Sequence, residues 1–95
     1  MNQNMPSLES IESRHSFPGA YMFKVIGSAD DGFVGRAVVA VRKGLGIEID
    51  PRFEMRQTSG GRHVALTFDP VVESAADVLA VYENLVKLDG VVLVL

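Results

Sequence analysis

Two adjacent glycines, Gly60 and Gly61, divide the passage "IEIDPRFEMRQTSGGRHVALTFD" into halves that mirror each other. Both positions of a tight hairpin turn call for positive φ, which glycine reaches without strain. Folding about that turn sets Ser59 against Arg62, Gln57 against Val64, Met55 against Leu66 and Phe53 against Phe68. The other face pairs Thr58 with His63, Arg56 with Ala65 and Glu54 with Thr67. Phe53, Met55, Val64, Leu66 and Phe68 then share one side, and a one-residue slip would scatter them. The pattern predicts an antiparallel hairpin with one apolar face, and that face needs a cover.

Two helical segments can supply it. In "DGFVGRAVVAVRK", residues 31–43, Val34, Ala37, Val38, Val41 and then Leu45 recur at spacings of three and four. Asp30 or Asp31 can cap its start, and Gly44 and Gly46 stop it. In "SAADVLAVYENLVKL", residues 74–88, Ala75, Val78, Leu79, Tyr82, Leu85 and Val86 form an apolar stripe behind a Ser74–Asp77 capping pair. "AYMFKVIG", residues 20–27, reads as the first strand, with Tyr21, Phe23 and Val25 on one face and Met22, Lys24 and Ile26 on the other. "VVLVL" reads as the last strand. The order is βαββαβ. The expected fold is therefore α+β, a ferredoxin-like two-layer sandwich with one four-stranded antiparallel sheet and two helices on one face. Right-handed crossovers place the first and third strands at its centre. Residues 17–95 form the single domain. Residues 1–16, polar and rich in Asn, Ser and Glu, are expected to be a flexible arm. Within it "PSLESIES" can form one helical turn with Leu8 and Ile11 on the same side.

Composition narrows the function. A chain of 95 residues suits one domain, and its 47% hydrophobic content suffices for a core. There is no Cys, so disulfides, thiolate metal sites and Cys nucleophiles are excluded. Two His, His15 and His63, lie far apart and give no metal-ligand cluster. A net charge of −3 is a poor start for nucleic-acid binding. No stretch has the apolar length of a membrane span, and the N-terminus lacks the pattern of a secretory signal. A cytoplasmic protein without a cofactor is expected.

"FPGAYMFKVIG", a helix, a glycine hairpin before "RHVALTF", and a closing helix that runs into "LDGVVLVL" resemble the YbeD-like family of small bacterial proteins. The resemblance covers residues 17–95, and its most specific part is Phe17, Pro18 and Phe23–Gly27. It implies a cytoplasmic protein of unknown function whose fold is similar to ACT-type regulatory domains, which sense amino acids and other small ligands. A link to lipoate metabolism has been suggested for the family, and no catalytic residue carries over. The segment from Gly27 to Ile49 also resembles the ACT pattern, with Asp31 preceding Gly32 at the turn.

Two candidate sites follow. The first is the loop "VIGSADDGFVGRAV", with Gly27, Asp30, Asp31, Gly32 and Gly35 between a strand and a helix. Backbone N–H groups at a helix start attract anions. Neither phosphate-loop glycine pattern is present, and two aspartates would repel phosphate. An amino-acid ammonium facing Asp30 or Asp31 is the ligand that suits the charges. The bland alternative is a tight corner. The second candidate is the open sheet face, with Met22, Lys24, Ile26, Arg56 and His63 alongside Ala65 and Thr67. Its mixed apolar and basic character suits a protein partner or a second copy, and the apolar "VVLVL" edge offers another route to a homodimer. RNA-binding sheets stack bases on aromatics, and here only His63 could stack. A nucleic-acid-binding protein using Lys24, Arg56, Arg62 and His63 is the alternative function. Acylphosphatase chemistry is excluded, because no Asn lies between Asn4 and Asn84 to orient a water. The expected function is a non-enzymatic regulatory or binding module for a small ligand, a protein partner or both.

Overall fold

The computed structural model describes residues 5–95. In chain order the elements are α1 (Leu8–Arg14), β1 (Gly19–Ala20), β2 (Phe23–Ser28), α2 (Phe33–Leu45), β3 (Phe53–Gln57), β4 (His63–Phe68), β5 (Val71–Val72), α3 (Ala75–Val86) and β6 (Val91–Val94). The fold is α+β, with three helices and two antiparallel sheets. Four strands pair in the order β3-β4-β2-β6, and β1 pairs with β5 in a separate two-stranded ribbon. The single sheet expected from sequence is thus corrected to two. Gly19 and Ala20 pair with Val72 and Val71, a ribbon too short to leave an alternating pattern.

The strands of the hairpin pair in the expected register, but the two-residue turn closed by Ser59 and Arg62 is corrected: the Gly61 N–H donates to the Thr58 carbonyl at 3.0 Å, and Thr58 and His63 close the loop. Gly60 and Gly61 sit at φ 86° and 72°. Phe53 faces Phe68, Met55 faces Leu66 and Gln57 faces Val64. On β4 the apolar side is buried, with Leu66 and Phe68 fully so. On β3 it is not: Phe53 is 40% exposed and Met55 57%. β3 is an edge strand whose main neighbour is β4. The alternation is correct, but the helices do not reach that far.

The cover over β2 and β4 comes from α2 and α3, which also pack on each other. Phe33, Ala37, Val38, Ala40 and Val41 of α2 are buried, as are Ala75, Val78, Val81, Tyr82 and Leu85 of α3. The helix starts two residues later than the sequence pattern placed it, which brings Phe33 into the core. Its end is Gly46, at φ 67°, in the left-handed conformation that terminates helices. Gly44 is not a stop. A Cβ there would come within 2.7 Å of the Val81 Cα, so Gly44 marks the closest approach of the two helices. Ser74 caps α3, its Oγ accepting from the Asp77 N–H at 3.2 Å. Deeper in, the Tyr21 and Tyr82 hydroxyls meet at 3.2 Å. Burial, and then the bond to Tyr21, push the Tyr82 phenol well above its ordinary range.

The expectation of a flexible arm over residues 1–16 is corrected where the structure describes it; residues 1–4 lie outside the described residues. Ser7 caps α1 by accepting from the Ser10 N–H at 3.1 Å. Ile11 is only 2% exposed and belongs to the core. One well-placed isoleucine docks a helix whose composition is otherwise that of a solvated tail.

Candidate functional site

The β2–α2 corner holds the first set of candidate residues. Gly27 is the last core-facing position of β2, directly under Phe33; a Cβ on Gly27 would sit 2.0–2.5 Å from that ring. The glycine thus makes room for the first aromatic of α2. Asp30 then closes the loop on itself. Its Oδ2 accepts from the Ser28 hydroxyl at 2.8 Å, and its Oδ1 from the Gly32 N–H at 2.9 Å. The Arg36 Nη2 donates to both oxygens at 3.2–3.3 Å, and to the Asp89 carbonyl at 3.0 Å. The Ser28 and Gly32 hydrogen bonds, with the Arg36 charge, hold the Asp30 carboxyl below the ordinary aspartate range. A carboxylate so engaged fixes the corner. Asp31 takes no part in the bonds that close it, and Gly32 is crowded by the Arg36 guanidinium. The sequence had grouped Gly27, Asp30, Asp31, Gly32 and Gly35; the structure brings the first four to the corner and turns Gly35 elsewhere.

Gly35 opens onto a groove between α2 and α3. Nothing lies within 4 Å of where its Cβ would be. The groove, about 710 Å³, is lined by Gly32, Gly35, Val39, Ala40 and Leu88, with Arg36, Asn84, Lys43 and Lys87 around them. Asn84 ties the two helices together by donating to the Ala40 carbonyl at 3.1 Å. Arg36 is engaged by Asp30, but Lys43 and Lys87 make no ion pair among the described residues. An apolar floor flanked by two unpaired cations is complementary to an apolar group next to a negative charge. Sequence reading missed this site. Its signal is indirect: Gly32 at the α2 N-cap, with Gly35 and Val39 on the side of α2 that adjoins α3, leaves a stripe with no long apolar side chain.

The open sheet face carries the second set. Lys24 stands opposite Thr67 and Ile26 opposite Ala65. Glu54 and Arg56 continue those rows on β3, and Leu93 lies beside Ile26 on β6. Met22, 58% exposed, lies just before β2. His63 faces Ser28 at the far end. Lys24, Ile26, Arg56 and His63 thus share one surface. No aromatic stands on the open face of β2 or β4, so bases have no stacking platform there beyond His63. Among the described residues no three His, Cys, Asp or Glu side chains cluster to hold a metal, and no helix is long and apolar enough to cross a membrane.

These features define a small α+β domain whose surface offers a groove and sheet edges. Residues 12–95 match the family model described as "Protein of unknown function (DUF493)". The chain belongs to that family, the YbeD-like one that "FPGAYMFKVIG" resembles. It is also 33% identical over 79 residues to a UPF0250 protein of Pasteurella multocida (strain Pm70), covering 83% of this chain and 88% of the relative.

Proposed function

We propose that the chain is a non-enzymatic, regulatory binding module of the cytoplasm, built on the ferredoxin-like, ACT-like plan. In this reading it takes an acidic, apolar-faced segment of a partner protein into the α2–α3 groove. One observation carries the reading: the groove floor is apolar and lacks a side chain at Gly35, while Lys43 and Lys87 stand unpaired at its rim. Amphipathic segments bind such grooves through a few apolar anchors, and flanking charges set orientation and specificity. The strand order β3-β4-β2-β6 supports the ferredoxin-like plan, with the β1–β5 ribbon and α1 as additions. The corner at Asp30 supports a scaffold role for the loop, because its carboxylate is already hydrogen-bonded from three sides.

A peptide-display selection tests this. Wild-type protein is the bait, and a Lys43→Glu/Lys87→Glu variant is the counter-selection. The expected outcome is a consensus of Asp or Glu spaced against apolar residues, with amide shifts on α2 and α3 when the peptide is titrated. A consensus without acidic residues, or shifts confined to the open sheet face, would sink the reading.

A further inference from the structure

β3 is an edge strand with unusual self-complementarity. Its sequence, Phe53-Glu54-Met55-Arg56-Gln57, carries opposite charges on the two sides of Met55. The Thr58 N–H donates to the His63 carbonyl at 2.9 Å. Antiparallel strands alternate the residues whose backbone groups bond a given neighbour. The backbone groups of Glu54, Arg56 and Thr58 therefore point at β4, and those of Phe53, Met55 and Gln57 point at the free edge. All five residues of β3 are exposed, and Glu54 and Arg56 make no ion pair among the described residues.

We propose that β3 pairs antiparallel with β3 of a second copy about a two-fold axis through Met55, joining two four-stranded sheets into one of eight. Met55 then faces Met55 of the second copy, and Phe53 faces its Gln57, so the outward N–H and C=O groups of all three residues find partners. Glu54 falls opposite Arg56 of the second copy, and Arg56 opposite its Glu54. These are non-hydrogen-bonded positions, where opposed side chains come closest. Pro51, having no N–H, ends the ladder on the next outward-facing position. The symmetry closes, so two copies satisfy each other and no fibre grows. The edge at β6 is the weaker candidate. It has four residues, and its register against β2 is broken between Ile26 and Gly27, an irregularity that protects an edge. A ladder of five residues a side makes a small interface, so the dimer is a concentration-dependent one.

Sedimentation velocity from micromolar to millimolar protein tests the proposal, with charge reversals at the two facing positions. Wild type shifts from monomer to dimer. Glu54→Arg puts Arg against Arg at both contacts, and Arg56→Glu puts Glu against Glu; each weakens the dimer by about tenfold or more. Mixing the two single variants restores a dimer, because each now faces its opposite. The double variant Glu54→Arg/Arg56→Glu, which keeps the strand composition, dimerises like wild type. A wild type that stays monomeric throughout overturns the proposal. So does a dimer that survives both single reversals, or a mixture that fails to associate.

Discussion

Glycines at 27 and 35 show how one residue type serves opposite ends at the residue scale. Gly27 is buried under the Phe33 ring, and any Cβ would overlap it. Gly35 is exposed in the first turn of α2, with open space where its Cβ would be. Alanine at the two positions should therefore act with opposite sign. Gly27→Ala forces the buried ring to shift, and overpacking of this kind costs about 1–3 kcal/mol. Gly35→Ala removes backbone freedom from the unfolded chain without a clash. It stabilises by about 0.5 kcal/mol, the low end of the glycine–alanine difference because the position is in the first turn. Urea unfolding of the two variants beside wild type checks both signs; a Gly27→Ala protein as stable as wild type would contradict the packing. Neither role is legible from sequence. The two glycines appear there in one loop, and only the position of Phe33 separates them.

At the level of elements, the sequence was most informative where two constraints agreed. The glycine pair and the alternation around it specify one strand register between them, and each partner pair of β3 and β4 stands where that register puts it, although the turn closes at Thr58–Gly61 and not at Ser59–Arg62. Coverage was not legible. Alternation says which side Phe53 and Met55 occupy, but whether a helix lies over that side depends on the crossover geometry of α2, far along the chain. The groove was hidden for a related reason: it is made by what α2 and α3 lack on adjoining faces. Helix α1 was legible only as one helical turn bearing Leu8 and Ile11; seven residues with two apolar side chains carry no sign that Ile11 docks on the core. That helix should behave as a separate, weakly held unit. It relies on Ile11, and truncating a buried Ile to Ala removes about 2–5 kcal/mol of packing. Ile11→Ala should therefore release α1 by local opening before the rest unfolds. Hydrogen exchange reads this directly. Amides of Leu8–Arg14 should lose protection in the variant, while those of β2 and β4 keep theirs. Uniform loss across the sheet would mean instead that α1 and the core unfold together.

On the scale of the whole molecule, the two helices leave one sheet edge, β3, without a cover and with its apolar side chains in water. Phe53 and Met55 at 40% and 57% exposure leave burial free energy unrealised in a lone chain, which favours any contact that shields them. Backbone alternation turns that contact into a residue-by-residue signature. In a dilute sample Glu54, Arg56 and Thr58 are protected from exchange by β4, while Phe53, Met55 and Gln57, whose N–H groups point outward, exchange quickly. Raising the concentration should slow exchange at those three and leave the even-numbered set unchanged. Contact through the other edge would write a different pattern: Leu93 and Leu95 face β2, so slowing would fall on Val92 and Val94. Contact through the open sheet face would slow neither set, because side chains and not amides would meet there. Exchange measured at two concentrations thus assigns the self-association surface from the chain's own hydrogen-bond geometry. Slowing confined to Val92 and Val94 would move the dimer to β6 and leave the opposed charges of Glu54 and Arg56 on β3 without a physical role.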